Sequence, residues 1–436
     1  MGLVFLASTD RKPVHGMFGV LLTMSQSSCI VSQGILRRLT VLFALSTGLS
    51  LHVAAAQDTK PLARPTSPVP LLPAPTPSPV VQPDGSATFH LRMPNAAAVV
   101  LELEGDAQPI PMTKGADGVW SVTVPKMAPE YYSYSYKVDG TEVLDPHNVT
   151  VKTSFFSTQN VFLVPGQPSK PWEPENVPHG IVSQHFYHSS IVGIDSQYYV
   201  YTPPGFDPKS DRQYPVLYLL HGYSDKPSAW TRMGKANVIL DNLIAQGKVK
   251  PMIVVTPWGY GNMQMISRGW AAWRDPKLVV DNFMKFSDAL FQEVMPQVQQ
   301  AYPISAKHED HAIAGLSMGG AESLLVGLNH TDYFAYVGGF SAGGIGDANY
   351  ATVFPGITPA SAAQINQNLR LLWTACGTED GLLPPNRHLI AWLQQQGLHP
   401  TAIETPGRHA WMVWRNNFSQ FAPLLFQSIN NTGPRP

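Results

Sequence analysis

The sequence predicts a small all-β sandwich followed by a large α/β domain, in which helices cover both faces of a mostly parallel sheet. Residues 86–164 contain short runs that alternate apolar and polar side chains, which is typical of antiparallel strands. From residue 180 onward, short β-branched runs alternate with helical stretches, which indicates a parallel sheet. Proline marks the boundaries, because nine of the 40 prolines lie in residues 57–85 and five in residues 165–178.

We therefore divide the 436 residues into a leader (1–56), a Pro-rich linker (57–85), the sandwich (86–164), a second linker (165–179) and the large domain (180–436). Proline-rich segments favour extended polyproline II and act as semi-rigid spacers. Hydrophobic residues make up 44% of the chain, enough for a sizeable core. Only 14% of residues are charged and the net charge is -1, which excludes a general electrostatic grip on nucleic acid or anionic lipid.

The leader has the layout of a secretory signal. Arg37 and Arg38 precede a mostly apolar run at 39–53, and small residues follow up to Ala56. Because the run is too short to span a bilayer comfortably, a membrane anchor or a buried helix is the weaker interpretation. We predict cleavage near Ala56 and a secreted or periplasmic mature protein without a membrane segment. Its single cysteine, Cys376, could form no intramolecular disulfide.

The sandwich prediction depends on three alternating runs, at 99–103, 120–124 and 132–136, separated by Asp-Gly turns at 117–118 and 139–140. Together with Asp-Pro-His-Asn at 145–148, this order resembles the immunoglobulin-like family 48 carbohydrate-binding module, which precedes glycogen-branching and isoamylase-type domains. The resemblance implies glycan binding through exposed Trp120 or the tyrosines. Two alternatives stay open: these aromatic residues form the core, or the module walls one side of the large domain's active site.

Six strands and three helices of the large domain follow from hydrophobic periodicity. The predicted strands are at 198–201, 215–220, 252–256, 311–315, 336–340 and 371–375. The predicted helices are at 236–246, 280–301 and 387–396. Pro296 should kink or split the second helix, because proline lacks a backbone N–H and clashes with the preceding turn.

The sharpest motif is Gly-Leu-Ser-Met-Gly-Gly at 315–320, which follows an apolar run and precedes a helix-compatible stretch. Gly-x-Ser-x-Gly between a strand and a helix is the nucleophile elbow, a strained turn that holds a serine at the sheet's carboxyl edge. The N-terminus of the helix favours the negative charge that develops there. The motif therefore predicts Ser317 as a nucleophile.

A serine nucleophile needs a base and an acid, which follow it in the order acid, histidine in this type of fold. Four histidines lie downstream: His330, His388, His399 and His409. His409 lies in a loop after a late strand-like stretch, so we predict it as the base. Glu379 and Asp380 both lie in the loop after the strand at 371–375, and both qualify chemically as the acid.

The oxyanion hole requires two backbone N–H groups. Met318 follows the nucleophile and should supply one. Tyr223 should supply the other, because Gly222 lets the chain turn sharply at the end of an earlier strand. His221, a tempting second base, is better explained by a structural role.

From about residue 180 to the end, the chain resembles carbohydrate esterase family 1, which contains feruloyl and acetylxylan esterases and has esterase D and siderophore esterases as relatives. The motifs that carry the resemblance are at 201–205, 214–222, 250–257, 293–296, 315–320, 375–380 and 407–409. The resemblance implies an α/β-hydrolase fold, with Ser317 as the acyl-forming serine and His409 as the base. It favours Asp380 as the acid, because the family's acid follows a Gly-Thr-x motif. Arg408 departs from the small residue that the family often has before its histidine.

Together with the leader, the resemblance implies a secreted serine carboxylic-ester hydrolase that acts on feruloyl or acetyl esters of plant hemicellulose. No metal or organic cofactor is implied, because the triad needs none. We assign four tryptophans to substrate binding, although packing within the domain is an equal alternative: Trp230, Trp258, Trp270 and Trp411. A siderophore esterase is the first alternative, and basic residues at the pocket would favour it. The candidates are Arg268, Arg274 and Arg408. An acyltransferase of the mycolyl type and a non-enzymatic glycan-binding protein are further alternatives.

Overall fold

The first part of the chain folds into two antiparallel sheets around a common core. They are seen in a computed structural model, which describes residues 76–105 and 108–427. The ten strands are β1 (Val80–Val81), β2 (Ala87–Arg92), β3 (Val99–Leu103), β4 (Ile110–Pro111), β5 (Thr113–Lys114), β6 (Val119–Val124), β7 (Glu130–Val138), β8 (Thr141–Val143), β9 (Val151–Thr153) and β10 (Thr158–Val164). One sheet has the order β1-β2-β6-β5, and the other has the order β4-β3-β7-β10-β9 with β8 paired to β7.

The aromatic residues of the alternating runs lie in this core rather than on the surface. Trp120 is 7% exposed, and its indole N–H donates to the Met93 carbonyl oxygen at 2.9 Å. Tyr134 and Tyr136 are fully buried, and both hydroxyls donate to the Asp145 carboxylate. The expectation of glycan contact through these side chains is wrong, because period-two alternation points each of them at the facing sheet.

The two proline-rich segments differ from the predicted spacers. Residues 57–75 lie outside the described residues, but Val80–Val81 already pairs with β2, so the sandwich begins before residue 86. In the segment 165–179, Trp172 and Glu173 are buried. The Asn242 side chain donates to the carbonyl oxygens of Pro171 and Glu173 at 2.9 and 2.8 Å. This segment therefore packs on the α/β domain, because its carbonyl oxygens accept hydrogen bonds from a side chain of the helix Ala236–Ala245.

The second part of the chain forms one eight-stranded sheet with helices around it. Its strands are β11 (Ile181–Ser189), β12 (Ile194–Thr202), β13 (Val216–Leu220), β14 (Ile253–Thr256), β15 (His311–Leu316), β16 (Tyr336–Phe340), β17 (Leu371–Gly377) and β18 (Thr401–Thr405). The order is β11-β12-β14-β13-β15-β16-β17-β18. β12 pairs antiparallel with β11 and β14, and the pairs from β14 to β18 are parallel.

The α-helices of this part pack on the sheet and bury two large apolar clusters. They are α1 (Ala229–Arg232), α2 (Ala236–Ala245), α3 (Gln264–Ser267), α4 (Pro276–Ala289), α5 (Met295–Ala301), α6 (Ser317–Asn329), α7 (Tyr350–Val353), α8 (Ala362–Asn368), α9 (Leu383–Gln395) and α10 (Trp411–Phe421). A π-helical turn, Leu290–Val294, joins α4 to α5. The predicted break therefore comes just before Pro296, which lies in the first turn of α5.

Two helices begin four residues earlier than predicted, and proline is the reason in both. α4 begins at Pro276, where the Asp275 carboxylate accepts the Leu278 N–H at 3.2 Å. α9 begins at Leu383, with proline in its first turn. Proline suits the first turn because the N–H it lacks would have no partner within the helix.

Among the described residues, no helix has the length and apolar character needed to cross a membrane. The predicted signal sequence, residues 1–56, lies outside the described residues.

Candidate active site

Ser317 lies at a sharp turn between β15 and α6, with a left-handed φ of 53°. The flanking glycines make this turn possible. A Cβ on Gly315 would lie 2.3 Å from the Gly319 carbonyl oxygen, and a Cβ on Gly319 would lie 2.4 Å from the His221 carbonyl oxygen. Side chains at either position would therefore collide with backbone, which explains the Gly-x-Ser-x-Gly spacing.

Three residues predicted from separate parts of the sequence meet at this turn. His409 Nε2 lies 3.0 Å from Ser317 Oγ, and His409 Nδ1 lies 2.8 Å from Asp380 Oδ2. The other oxygen of Asp380 accepts the Leu382 N–H at 2.8 Å. This hydrogen-bonded chain orients the imidazole so that Nε2 can accept a proton from the serine.

The Asp380 carboxyl is 4% exposed. Burial raises its pKa, but hydrogen bonds from His409, the Leu382 N–H and Ser341 outweigh burial and lower the pKa below its ordinary value. Asp380 therefore stays ionised at neutral pH and holds a proton on His409 Nδ1.

Glu379, the other acid candidate, pairs with Arg408 instead of His409. Its carboxylate lies 3.5 Å from Arg408 Nε, and both side chains are largely exposed. Arg408, which departs from the family pattern, is therefore part of a solvent-exposed ion pair.

Replacing Asp380 with asparagine is expected to lower kcat by about 10⁴-fold, because the amide no longer fixes the required imidazole tautomer. Glu379→Gln is the matched control and should keep a rate close to wild type. Initial rates with a short-chain chromogenic ester measure both variants. A large loss in Glu379→Gln with activity retained in Asp380→Asn would reverse the assignment.

The other histidines do not reach Ser317. His330 follows α6 and packs against Phe291, and exposed His388 lies 3.2 Å from an Asp347 carboxylate oxygen. His399 is exposed in a connection. His221 is fully buried, and its Nδ1–H donates to the Gly222 carbonyl oxygen while its Nε2 accepts the Gly259 N–H. Burial lowers the pKa of His221 to about 4, so it is a neutral structural group.

Both predicted oxyanion donors, Met318 and Tyr223, belong to segments that adjoin the nucleophile. Met318 follows Ser317 in the first turn of α6. A Cβ on Gly222 would lie 3.2 Å from Ser317 Cβ, so the turn that contains Tyr223 packs against the nucleophile. The Asp225 N–H closes this turn on the Gly222 carbonyl oxygen at 3.2 Å, and Ser224 takes a left-handed φ of 72° within it.

Ser317 and His409 line a cavity of about 570 Å³. Among the four tryptophans assigned to substrate binding, Trp270 and Trp411 line it. The assignments of Trp230 and Trp258 are wrong. Trp230 is fully buried and its indole N–H donates to the Leu220 carbonyl oxygen, while Trp258 packs edge-on against Phe155 and lies outside the cavity lining.

Further residues, beyond the four assigned tryptophans, complete the cavity. Trp273 and Trp414 add aromatic walls, and the Trp414 ring meets His409 edge-on with 4.8 Å between ring centroids. The sandwich supplies four further lining residues: Glu104, Lys152, Ser154 and Ser157. The sandwich thus forms part of the cavity wall, which agrees with the alternative that this module walls one side of the active site. The three arginines that would favour a siderophore substrate are absent from the lining, as far as the described residues show.

The sandwich also contacts the oxyanion turn directly, through the loop between β9 and β10. The Phe155 N–H donates to the Ser224 carbonyl oxygen at 2.8 Å. The Phe156 ring lies 5.6 Å from the Tyr223 ring, centroid to centroid. No local motif signals these contacts, because the two loops are about 70 residues apart and belong to different sheets.

Comparison with known proteins places the site in a family. The sequence model of a family described as "Putative esterase" matches residues 189–425. A curated relative, the endo-1,4-beta-xylanase/feruloyl esterase of Xylanibacter ruminicola, is 29% identical over 363 residues, covering 80% of this chain and 46% of the relative. Endo-1,4-beta-xylanase Y of Acetivibrio thermocellus is 30% identical over 148 residues, covering 31% of this chain and 12% of the relative. The chain thus spans less than half the length of either relative.

Among solved structures, the enterobactin esterase of Shigella flexneri, crystallised in the presence of enterobactin, has a TM-score of 0.56 at 18% identity. The match covers 78% of this chain and 92% of that chain, which is evidence for a shared α/β-hydrolase fold. The family match takes in all the parallel strands that position Ser317 and more than half of the sequence, and the chain therefore belongs to this esterase family.

Proposed function

We propose that this protein is a serine carboxylic-ester hydrolase that works through an acyl-enzyme on Ser317, and that its substrates are feruloyl or acetyl esters of plant hemicellulose. The observation that carries the proposal is the hydrogen-bonded chain from Ser317 through His409 to Asp380 at the wall of an open cavity. We further propose that the protein is exported, on the strength of its leader sequence.

In the first half-reaction, Ser317 Oγ attacks the ester carbonyl carbon while His409 Nε2 takes the hydroxyl proton. Backbone N–H groups of Met318 and Tyr223 stabilise the oxyanion. His409 then gives its proton to the leaving alcohol, which departs and leaves an acyl-serine. In the second half, water attacks the acyl carbon with His409 again as the base, and the free acid leaves.

The aromatic side chains at the cavity support a feruloyl acyl group. Trp270 is 68% exposed and packs against Tyr223, with 4.8 Å between ring centroids. Flat, partly exposed rings suit a planar aromatic ligand through offset or edge-to-face contact. The name of the Xylanibacter relative, which includes feruloyl esterase, supports the same substrate class.

A substrate panel tests the proposal. Feruloylated arabinoxylan, acetylated xylan and a catecholate siderophore are incubated separately with the protein, and products are identified by mass. We expect free ferulate or acetate. Hydrolysis of the siderophore alone, or transfer of the acyl group to an added sugar instead of water, would contradict the proposal in favour of the siderophore-esterase or acyltransferase alternative.

A further inference from the structure

We propose that Asp225 and Lys152 form a polar subsite, built across the boundary between the sandwich and the α/β domain, that binds a hydroxyl-bearing group of the substrate. The inference rests on the proposed function, because it assumes that the cavity beside Ser317 takes an ester. It adds a charged recognition element to a cavity whose other assigned substrate contacts are aromatic rings.

Asp225 is a buried carboxylate without a partner. It is 7% exposed and lines the cavity. Its backbone is fully engaged, since its N–H donates to Gly222 and its carbonyl oxygen accepts the Tyr260 hydroxyl at 3.1 Å. Its side chain forms no hydrogen bond or ion pair with any of the residues that the structure describes. A buried polar group without a partner is costly, so a role in binding a ligand explains why the carboxylate is placed there.

Lys152 faces the same cavity from the sandwich. It lies in β9 and is half-buried, and its side chain makes no hydrogen bond or ion pair within the described part of the chain. Burial raises the pKa of Asp225 to about 7, and the positive charge of Lys152 opposes that rise. The two groups therefore act on each other without forming an ion pair, so a gap separates them at the cavity wall.

A hydroxyl group suits such a gap. It can donate a hydrogen bond to the Asp225 carboxylate and accept one from the Lys152 ammonium, which neither a purely anionic nor a purely apolar group can do. Glu104 also lines the cavity, but its Oε2 already accepts hydrogen bonds from the N–H and the hydroxyl of Ser133. The hydroxyl has two possible sources, the phenol of the acyl group and the sugar of the alcohol.

The experiment compares Asp225→Asn and Lys152→Met with wild type on paired substrates. Methyl ferulate and methyl 3,4-dimethoxycinnamate differ only at the phenolic hydroxyl. Feruloyl-arabinose and its fully methylated sugar analogue differ only at the sugar hydroxyls. Lys137→Met, at a lysine paired with Glu102 on the sandwich surface, is the matched control and should behave as wild type.

We expect both variants to lose about 10-fold or more in kcat/KM on the hydroxylated member of one pair, with little change on its methylated partner. The pair that responds identifies the source of the hydroxyl. Rates on 4-nitrophenyl acetate, whose acyl group carries no hydroxyl, measure any effect of each variant on the oxyanion turn, and the loss on the hydroxylated substrate should exceed that effect by about 10-fold. Equal losses on all substrates, or unchanged ratios in both pairs, would overturn the subsite. Failure of the proposed function would look different, since wild type itself would then hydrolyse none of these esters.

Discussion

Ser317→Ala is expected to reduce kcat on a chromogenic short-chain ester by on the order of 10⁶-fold, as for loss of the nucleophile in a comparable triad. The alanine removes the only oxygen within hydrogen-bond reach of His409 Nε2 in the described residues. Without it no acyl-enzyme can form, and only binding and the oxyanion donors remain to assist direct attack by water. Initial rates at substrate saturation measure the loss.

Combining Ser317→Ala with His409→Ala sharpens this test. Because the two residues act as one unit, the double variant should be no slower than the slower single variant. Additive losses would mean that His409 acts on a different step. The thermal midpoint of Ser317→Ala should stay close to wild type, since alanine and serine have similar difficulty at the left-handed φ of 53°. Retained turnover in a folded Ser317→Ala protein would contradict the proposed nucleophile.

Arg415→Met is expected to destabilise the protein by about 3–5 kcal/mol, because it leaves a buried carboxylate without its cation. Arg415, in α10, is fully buried, and its guanidinium lies 2.9 Å from the Glu130 carboxylate of β7. It also donates to the carbonyl oxygens of Met233 and Tyr131 at 2.6 and 2.9 Å. Urea unfolding followed by tryptophan fluorescence measures the change in the free energy of unfolding.

The pH dependence identifies Glu130 as the source of that loss. Burial raises the pKa of Glu130 above its ordinary value even though Arg415 lowers it. Removing Arg415 should raise it further, so the folded variant gains stability as pH falls toward and below the ordinary glutamate pKa. The deficit should therefore shrink from pH 8 to pH 5. Arg387→Met is the matched control, because the Arg387–Glu404 pair has similar geometry on the surface and its loss should leave the midpoint nearly unchanged. An equal deficit in both variants would rule out burial as the cause.

The geometry of the triad could be anticipated from sequence because its signals are local. Ser317 lies in a turn whose flanking glycines are dictated by backbone contacts, and Asp380 and His409 each follow a strand of the parallel sheet. Parallel strands carry their carboxyl ends to one edge, so residues in these loops converge. The choice between Glu379 and Asp380 required the family resemblance, because both are adjacent acids in one loop.

The errors concern burial and contacts between distant segments. Trp230 and Trp258 belong to aromatic-rich stretches near the site, but composition does not show which ring faces the cavity and which faces the core. Trp230 lies in the four-residue helix α1, too short for periodicity to indicate its buried face. Proline content also misled the interpretation of residues 165–179, because buried Glu173 and Asn242 fix a segment whose composition favours a spacer.

The contact between the β9–β10 loop and the oxyanion turn limits how the two folds could be recombined with other domains during evolution. The boundary near residue 180 looks like a place where genetic recombination could exchange one accessory module for another. A new module joined there would have to provide a carboxylate for Arg415, a backbone N–H for the Ser224 carbonyl oxygen and a wall for the cavity, all at once. The two folds are therefore better regarded as one evolutionary unit than as a catalytic domain with an exchangeable accessory module.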